Sequence, residues 1–223
     1  YNSKQEMIFM RNDICTIPVN EVFEVVDGCP ICRMYNTVED HILDYIMGAA
    51  MMEPDVRIET NKQGFCPDHL SKMMARRGRL SLALMLSTHT EELKTALKKP
   101  EKAKEVGDAC FVCSKIEWGM SRMLETVCRS YEQDRDFRAL FDAQEHFCLK
   151  HFNLLNSVAS KKTMRRYYKD FQKSLCDTTL SSLETLETDL KKYCSMYDYR
   201  NSGEEADWGN SRDSVERTVE FLS

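Results

Sequence analysis

The motif CPIC at residues 29–32 is followed, after 33 intervening residues, by CPDH at residues 66–69, and this spacing decides the fold. The same order returns later, with CFVC at 110–113 and CLKH at 148–151. The CxxC motifs are offset by 81 residues and the CxxH motifs by 82. Eight Cys and His positions in the same order indicate a tandem duplication.

The duplication also sets the expected domain organisation. The polar run at 98–104, which contains Pro100, predicts a solvated linker between the copies. We therefore predict an N-terminal extension at 1–15, a first repeat at 16–99, a linker at 100–109, a second repeat at 110–200 and a C-terminal tail at 201–223.

The composition of the 223-residue chain excludes several classes of protein. Only 8 Gly and 5 Pro leave little material for the turns of a many-stranded β protein. No apolar run approaches the ~18 residues of a membrane span. The net charge of −5 lacks the basic footprint of most nucleic-acid binders. The N-terminus has no signal-peptide profile, so a cytoplasmic location is expected.

Apolar residues recur at three- and four-residue steps, which predicts an all-α fold. In each half a helix follows CxxC, a short helix comes next, and a long helix follows CxxH. The long helices are expected at 67–98 and at 149–197, the second with a break near 161–163. Only residues 17–26 look like a strand.

The CxxC and CxxH motifs have the spacing of metal ligands. Residues three apart at a helix start share one face, and three cysteines with one histidine form a donor set typical of structural zinc. Because protein fills all four positions, we expect a folding staple rather than a catalytic metal. We expect one Zn²⁺ per half, bound in the first by Cys29, Cys32, Cys66 and His69, and in the second by Cys110, Cys113, Cys148 and His151.

Other chemistries stay open for these cysteines. An iron–sulfur cluster is the main alternative cofactor. Disulfides and a thioredoxin-like dithiol are further alternatives, although no βαβ pattern accompanies the CxxC motifs. The other four cysteines have no partner spacing and are expected to be buried as small hydrophobic residues: Cys15, Cys128, Cys176 and Cys194.

Each half also carries a basic cluster downstream of its CxxH motif. Such clusters can bind phosphate or nucleic acid. A charged helix surface balanced by nearby acids is the simpler interpretation. The residues are Arg76, Arg77 and Arg79 in the first half, and Lys161, Lys162, Arg165 and Arg166 in the second.

No sequence motif argues for an enzyme, since phosphate loops, nucleophile elbows and HExxH are all absent. The polar group of Glu39, Asp40, His41 and Asp44 is interpreted as a solvated helix face, and His89 is interpreted in the same way.

The residues around the motifs resemble a bacterial domain-of-unknown-function family, the one numbered 6062. The resemblance implies a cytosolic bacterial protein and supplies no activity. The matching stretches are TIPVNE at 16–21, CPIC at 29–32, GFCPDH at 64–69, CFVC at 110–113, FCLKHF at 147–152, YRN at 199–201 and WGNS at 208–211.

The leading hypothesis is a non-enzymatic, two-zinc interaction or regulatory module, with an unidentified protein partner and no membrane attachment. The second is an iron–sulfur or redox protein, or an enzyme, with its site between the halves. The third is a nucleic-acid or anion binder. The C-terminal tail is expected either to fold back on the helices, burying Trp208, or to bind a partner.

Overall fold

The computed structural model confirms an all-α fold. It describes residues 18–99, 101, 109–160, 164–198 and 207–223. This part of the chain contains ten α-helices and no strand. The predicted N-terminal extension and nearly all of the predicted linker lie outside the described residues.

Prolines mark the helix starts of the first half. They occupy the first position of three helices, where the missing N–H has no helical partner to lose. In chain order the elements are α1 (Val19–Glu24), α2 (Pro30–Met47), a 3₁₀ turn (Ala49–Met52), α3 (Pro54–Gln63), α4 (Pro67–Ala75) and α5 (Arg79–Ala96).

The second half repeats the order of CxxC helix, short helix, CxxH helix and long helix, as expected for a tandem duplication. Its elements are α6 (Phe111–Gln133), α7 (Arg135–Asp142), α8 (Leu149–Val158), α9 (Tyr168–Met196), a 3₁₀ turn (Gly209–Ser211) and α10 (Ser214–Leu222). A shared contact supports the duplication. Arg57 donates to the carbonyl of Met51 at 3.3 Å, and Arg138, 81 residues later, donates to that of Glu132 at 3.5 Å.

Two of the predicted elements are wrong, and one predicted break is present. Residues 19–24, expected as part of a strand, form α1, which buries Val19, Val22 and Phe23 on one side. The single helix expected at 67–98 is interrupted at 76–78, where Gly78 has a φ of 102°, a conformation that glycine adopts without strain. The second long region breaks as predicted, between α8 and α9.

The chain forms two compact units that exchange segments between the repeats. Among the described residues, the first unit comprises Met34–Met123, and the second comprises Pro18–Arg33 with Leu124–Ser223. Each CxxC motif therefore belongs to the unit that contains the CxxH motif of the other repeat.

In the first unit, α3 packs against α5. Val56, Met73 and Met85 are buried there. The Arg57 guanidinium joins the two helices by donating to the carbonyl of Leu84 at 2.8 Å. This packing sets the position of the loop that leads into α4 and its CxxH motif.

The second unit has an aromatic core into which the first repeat inserts one ring. Phe141 lies at the centre, with its ring 4.8 Å from that of Phe147 and 4.9 Å from that of Phe171. Phe23 of α1 is fully buried, with its ring 5.0 Å from that of Phe137. Since Phe147 directly precedes Cys148, this core also positions a predicted metal ligand.

Residues 207–223 fold back against α9. Phe221 is buried, and Arg217 forms an ion pair with Asp189 at 2.8 Å. Trp208 is half-buried, with its ring in edge contact with those of Tyr193 and Tyr197. Of the two interpretations of the tail, the structure supports folding back for these residues.

None of the helices in the described ranges has both the length and the apolar character needed to cross a bilayer.

Candidate metal centres

The structure gathers the eight predicted ligands into two sets of four. We call them the His69 centre (Cys66, His69, Cys110 and Cys113) and the His151 centre (Cys29, Cys32, Cys148 and His151). In each set the four donor atoms all lie within 4.8 Å of one another. Each set falls within one compact unit.

Every ligand lies at the start of a helix. Cys66 and Cys148 are the N-cap residues of α4 and α8, which places each histidine of the CxxH motif in the first turn. The CxxC motifs stand in the same way at the starts of α2 and α6. The partial positive charge of helix N-termini favours thiolates, so four such ends suit cysteine ligation.

In the His69 centre the imidazole Nδ1 faces the three sulfurs. It lies 3.0 Å from the Sγ of Cys66, 3.3 Å from that of Cys110 and 3.4 Å from that of Cys113. The sulfurs of Cys66 and Cys113 are 3.9 Å apart.

The His151 centre has nearly the same geometry. The Nδ1 of His151 is 3.1 Å from the Sγ of Cys148, 3.2 Å from that of Cys32 and 3.7 Å from that of Cys29. The sulfurs of Cys32 and Cys148 are 3.7 Å apart.

These spacings fit one small tetrahedral ion in each centre. With Zn–S near 2.3 Å and Zn–N near 2.0–2.1 Å, a tetrahedron places sulfurs about 3.8 Å apart and sulfur and nitrogen about 3.6 Å apart. The observed distances lie close to those values. A multi-iron cluster instead binds its cysteines through different irons, which spreads them further. All nine cysteines of the described residues are free thiols, so none of them forms a disulfide.

The predicted pairing of these ligands within each repeat is wrong. Cys29 and Cys32 were expected to join Cys66 and His69, but they meet the CxxH motif of the second repeat instead. The physical reason is the segment exchange, because the residues that begin α2 pack in the second unit. Both closures use identical motifs, so spacing along the sequence does not distinguish them.

Within the His151 centre the proton distribution is uneven. Hydrogen bonds from the thiols of Cys29 and Cys32 hold the pKa of Cys148 well below its ordinary value. The reciprocal hydrogen bond to Cys148 raises the pKa of Cys32. Burial acts to lower the pKa of His151, but its hydrogen bond to Cys148 outweighs this and raises that pKa to about 9.

The His69 centre shows the same contrast between its two cysteine motifs. Burial acts to raise the pKa of Cys66, but hydrogen bonds, first that from the backbone N–H of His69, outweigh it and lower the pKa. Burial and a hydrogen bond with Cys110 raise the pKa of Cys113 to about 12. In each centre a bound cation would therefore displace protons from the CxxC sulfurs.

Glu39 is a site residue that the sequence analysis missed. It was interpreted as part of a solvated helix face, but it is buried, with 6% of its surface exposed. Its Oε1 lies 3.0 Å from the Nε2 of His69, and Lys72 donates to its Oε2. Its helical spacing was a usable signal, because Glu39 follows Cys32 by two turns and so shares that face of α2.

The other residues of that polar group behave as expected for a surface. Asp40 and Asp44 form ion pairs with Arg76 of the first basic cluster, and His41 is exposed. His89 makes a structural contact, with its Nδ1 2.7 Å from the carbonyl of Asn61.

The predicted anion-binding residues are only partly described. Arg77, Arg79, Arg165 and Arg166 are exposed. Lys161 and Lys162 lie outside the described residues. Since Arg76 is already paired, the structure adds no anion-binding feature to these clusters, and such a site stays a prediction.

The remaining cysteines divide by position. Cys128 is fully buried, as predicted, and burial raises its pKa to about 11. Cys176 is half-buried. Cys194 is exposed, so its predicted burial is wrong; it lies near the end of α9 among exposed residues. Cys15 lies outside the described residues.

The fold and the two centres define an all-α protein with a duplicated unit and two Cys₃His sets that could hold metal ions. The chain matches the family of unknown function DUF6062 over residues 10–109 and again over 98–223. It therefore belongs to that family, and the two successive matches agree with a duplication. Comparisons with curated proteins and with solved structures find no match.

Proposed function

We propose that each centre binds one zinc ion, and that the two ions hold the two compact units in their folded form. The observation that carries the proposal is the closed donor set. In each centre three sulfurs and one imidazole nitrogen lie within 4.8 Å of one another. A Cys₃His set around one ion leaves no position for substrate or an activated water, which is typical of structural zinc.

We further propose that the protein is a non-enzymatic interaction or regulatory module of the bacterial cytoplasm. Two closed metal sites and the lack of a catalytic motif in the sequence support this role. Clustered free thiols suit a reducing compartment, where cysteines serve as metal ligands more often than as disulfides. The partner would be another protein.

Elemental analysis of protein purified anaerobically without chelators tests this proposal. We expect two zinc ions per chain, because each donor set is complete. Cys66→Ser should lower the content to one ion. Cys194→Ser, which changes an exposed cysteine outside both centres, is the matched control and should leave two. Protein without metal would contradict the proposal, and brown protein containing iron would favour the iron–sulfur alternative.

A further inference from the structure

The two centres differ in one buried carboxylate. Glu39 lies in α2 with 6% of its surface exposed. Its Oε1 is 3.0 Å from the Nε2 of His69, and its Oε2 accepts a hydrogen bond from Lys72, whose side chain is half-exposed. A charged chain therefore runs from Lys72 through Glu39 to the imidazole.

This contact fixes the state of the imidazole. The Nδ1 of His69 faces the sulfurs of its centre, at 3.0 Å from that of Cys66. The Nε2 must then carry the proton that it donates to Glu39. A histidine held in this way presents its lone pair to a metal at Nδ1 and is a stronger ligand, since the carboxylate balances the charge that it gives up.

The second repeat does not retain either of these charges. The CxxC offset of 81 residues takes Glu39 to Met120, and the CxxH offset of 82 takes Lys72 to Leu154. Both partners of the chain are thus replaced by apolar residues, whereas all four ligand positions are retained. The carboxylate support is a property of one centre and not of the duplicated motif.

We infer that Glu39 is a positioning residue of the His69 centre, which orients His69 and strengthens metal binding at that centre alone. The inference rests on the proposed function, because it assumes that the centre binds an ion. It makes the two ions unequal, with Glu39 and Lys72 acting on the one held by His69.

Competition with a chromophoric chelator, starting from the zinc-loaded full chain, tests this inference. Glu39→Ala should weaken one of the two ions by about 10–100-fold, which is the usual effect of losing such a partner, and leave the other unchanged. Glu39→Gln should lose less, because its amide oxygen still accepts the Nε2 proton. In ¹⁵N-labelled protein the slowly exchanging imidazole Nε2–H of His69 should be present in the wild type and lost in Glu39→Ala.

Two controls assign the effect. Asp40→Ala removes the neighbouring, exposed carboxylate that pairs with Arg76, and it should change neither ion. In a Cys66→Ser chain, Glu39→Ala should have no effect on the one remaining ion. Glu39 variants that bind both ions as tightly as the wild type, or that weaken both equally, would overturn the inference alone. A wild-type chain that takes up no zinc would overturn the proposed function and the inference with it.

Discussion

Stripping the zinc ions with a chelator is expected to lower the Tm of the protein by about 8–16 °C for each ion removed. At free zinc of about 1,000 times Kd, an ion that binds only the folded state adds about 4 kcal/mol. In a chain of this size, 1 kcal/mol corresponds to about 2–4 °C. The reason is geometric, because each ion would join two helix starts that are far apart in sequence, such as Cys29 and Cys148.

Thermal unfolding followed by circular dichroism measures this effect. Adding zinc back should restore the original Tm, whereas adding magnesium, which prefers oxygen ligands, should not. A Tm that is the same with and without chelator would mean that the units fold without metal, and would contradict the role of folding staple.

Phe23→Ala is expected to lower the free energy of unfolding by about 3–5 kcal/mol, the usual cost of removing a buried phenylalanine ring. Phe23 is fully buried and contacts Phe137 and Phe141, although it comes from the first repeat. Its loss should loosen the segment Pro18–Arg33 in the second unit. The ion of the His151 centre should then be bound more weakly, and that of the His69 centre should be unaffected.

Chemical denaturation measures the free energy, and chelator competition measures the two ions. The matched control is Val26→Ala in the same segment, where the side chain is exposed and the expected change is small. If Phe23→Ala weakened the ion of the His69 centre instead, the assignment of Pro18–Arg33 to the second unit would be wrong.

The sequence predicts the all-α fold and the eight clustered residues well, because both leave local signals. Helical periodicity and three-residue ligand spacing are each contained within one or two turns. Pro54 and Gly64 also mark the bounds of α3, since one begins the helix and the other follows its end.

Local signals fail where the decision depends on packing. The strand-like pattern at 17–26 conceals α1, because Val19, Val22 and Phe23 also fit the buried side of a short helix. The break before Gly78 interrupts a stretch in which apolar residues continue on both sides. Glu39 has charged neighbours that are exposed, so its burial follows only from the position of His69.

The pairing of the ligands depends on topology, which spacing does not encode. A duplicated chain can close each metal set within a repeat or across the two, and the same eight residues serve either arrangement. The segment exchange is decided by contacts such as that of Gln144, whose amide donates to the carbonyl of Phe23 at 2.7 Å.

Zinc content of two double variants tests the crossed pairing most directly. Cys29→Ser with Cys148→Ser removes two ligands of one centre, and we predict that this chain retains one ion. Cys29→Ser with Cys66→Ser damages both centres, and we predict that it retains none. Pairing within each repeat requires the reverse: one ion in the Cys29/Cys66 variant and none in the Cys29/Cys148 variant would contradict the structure.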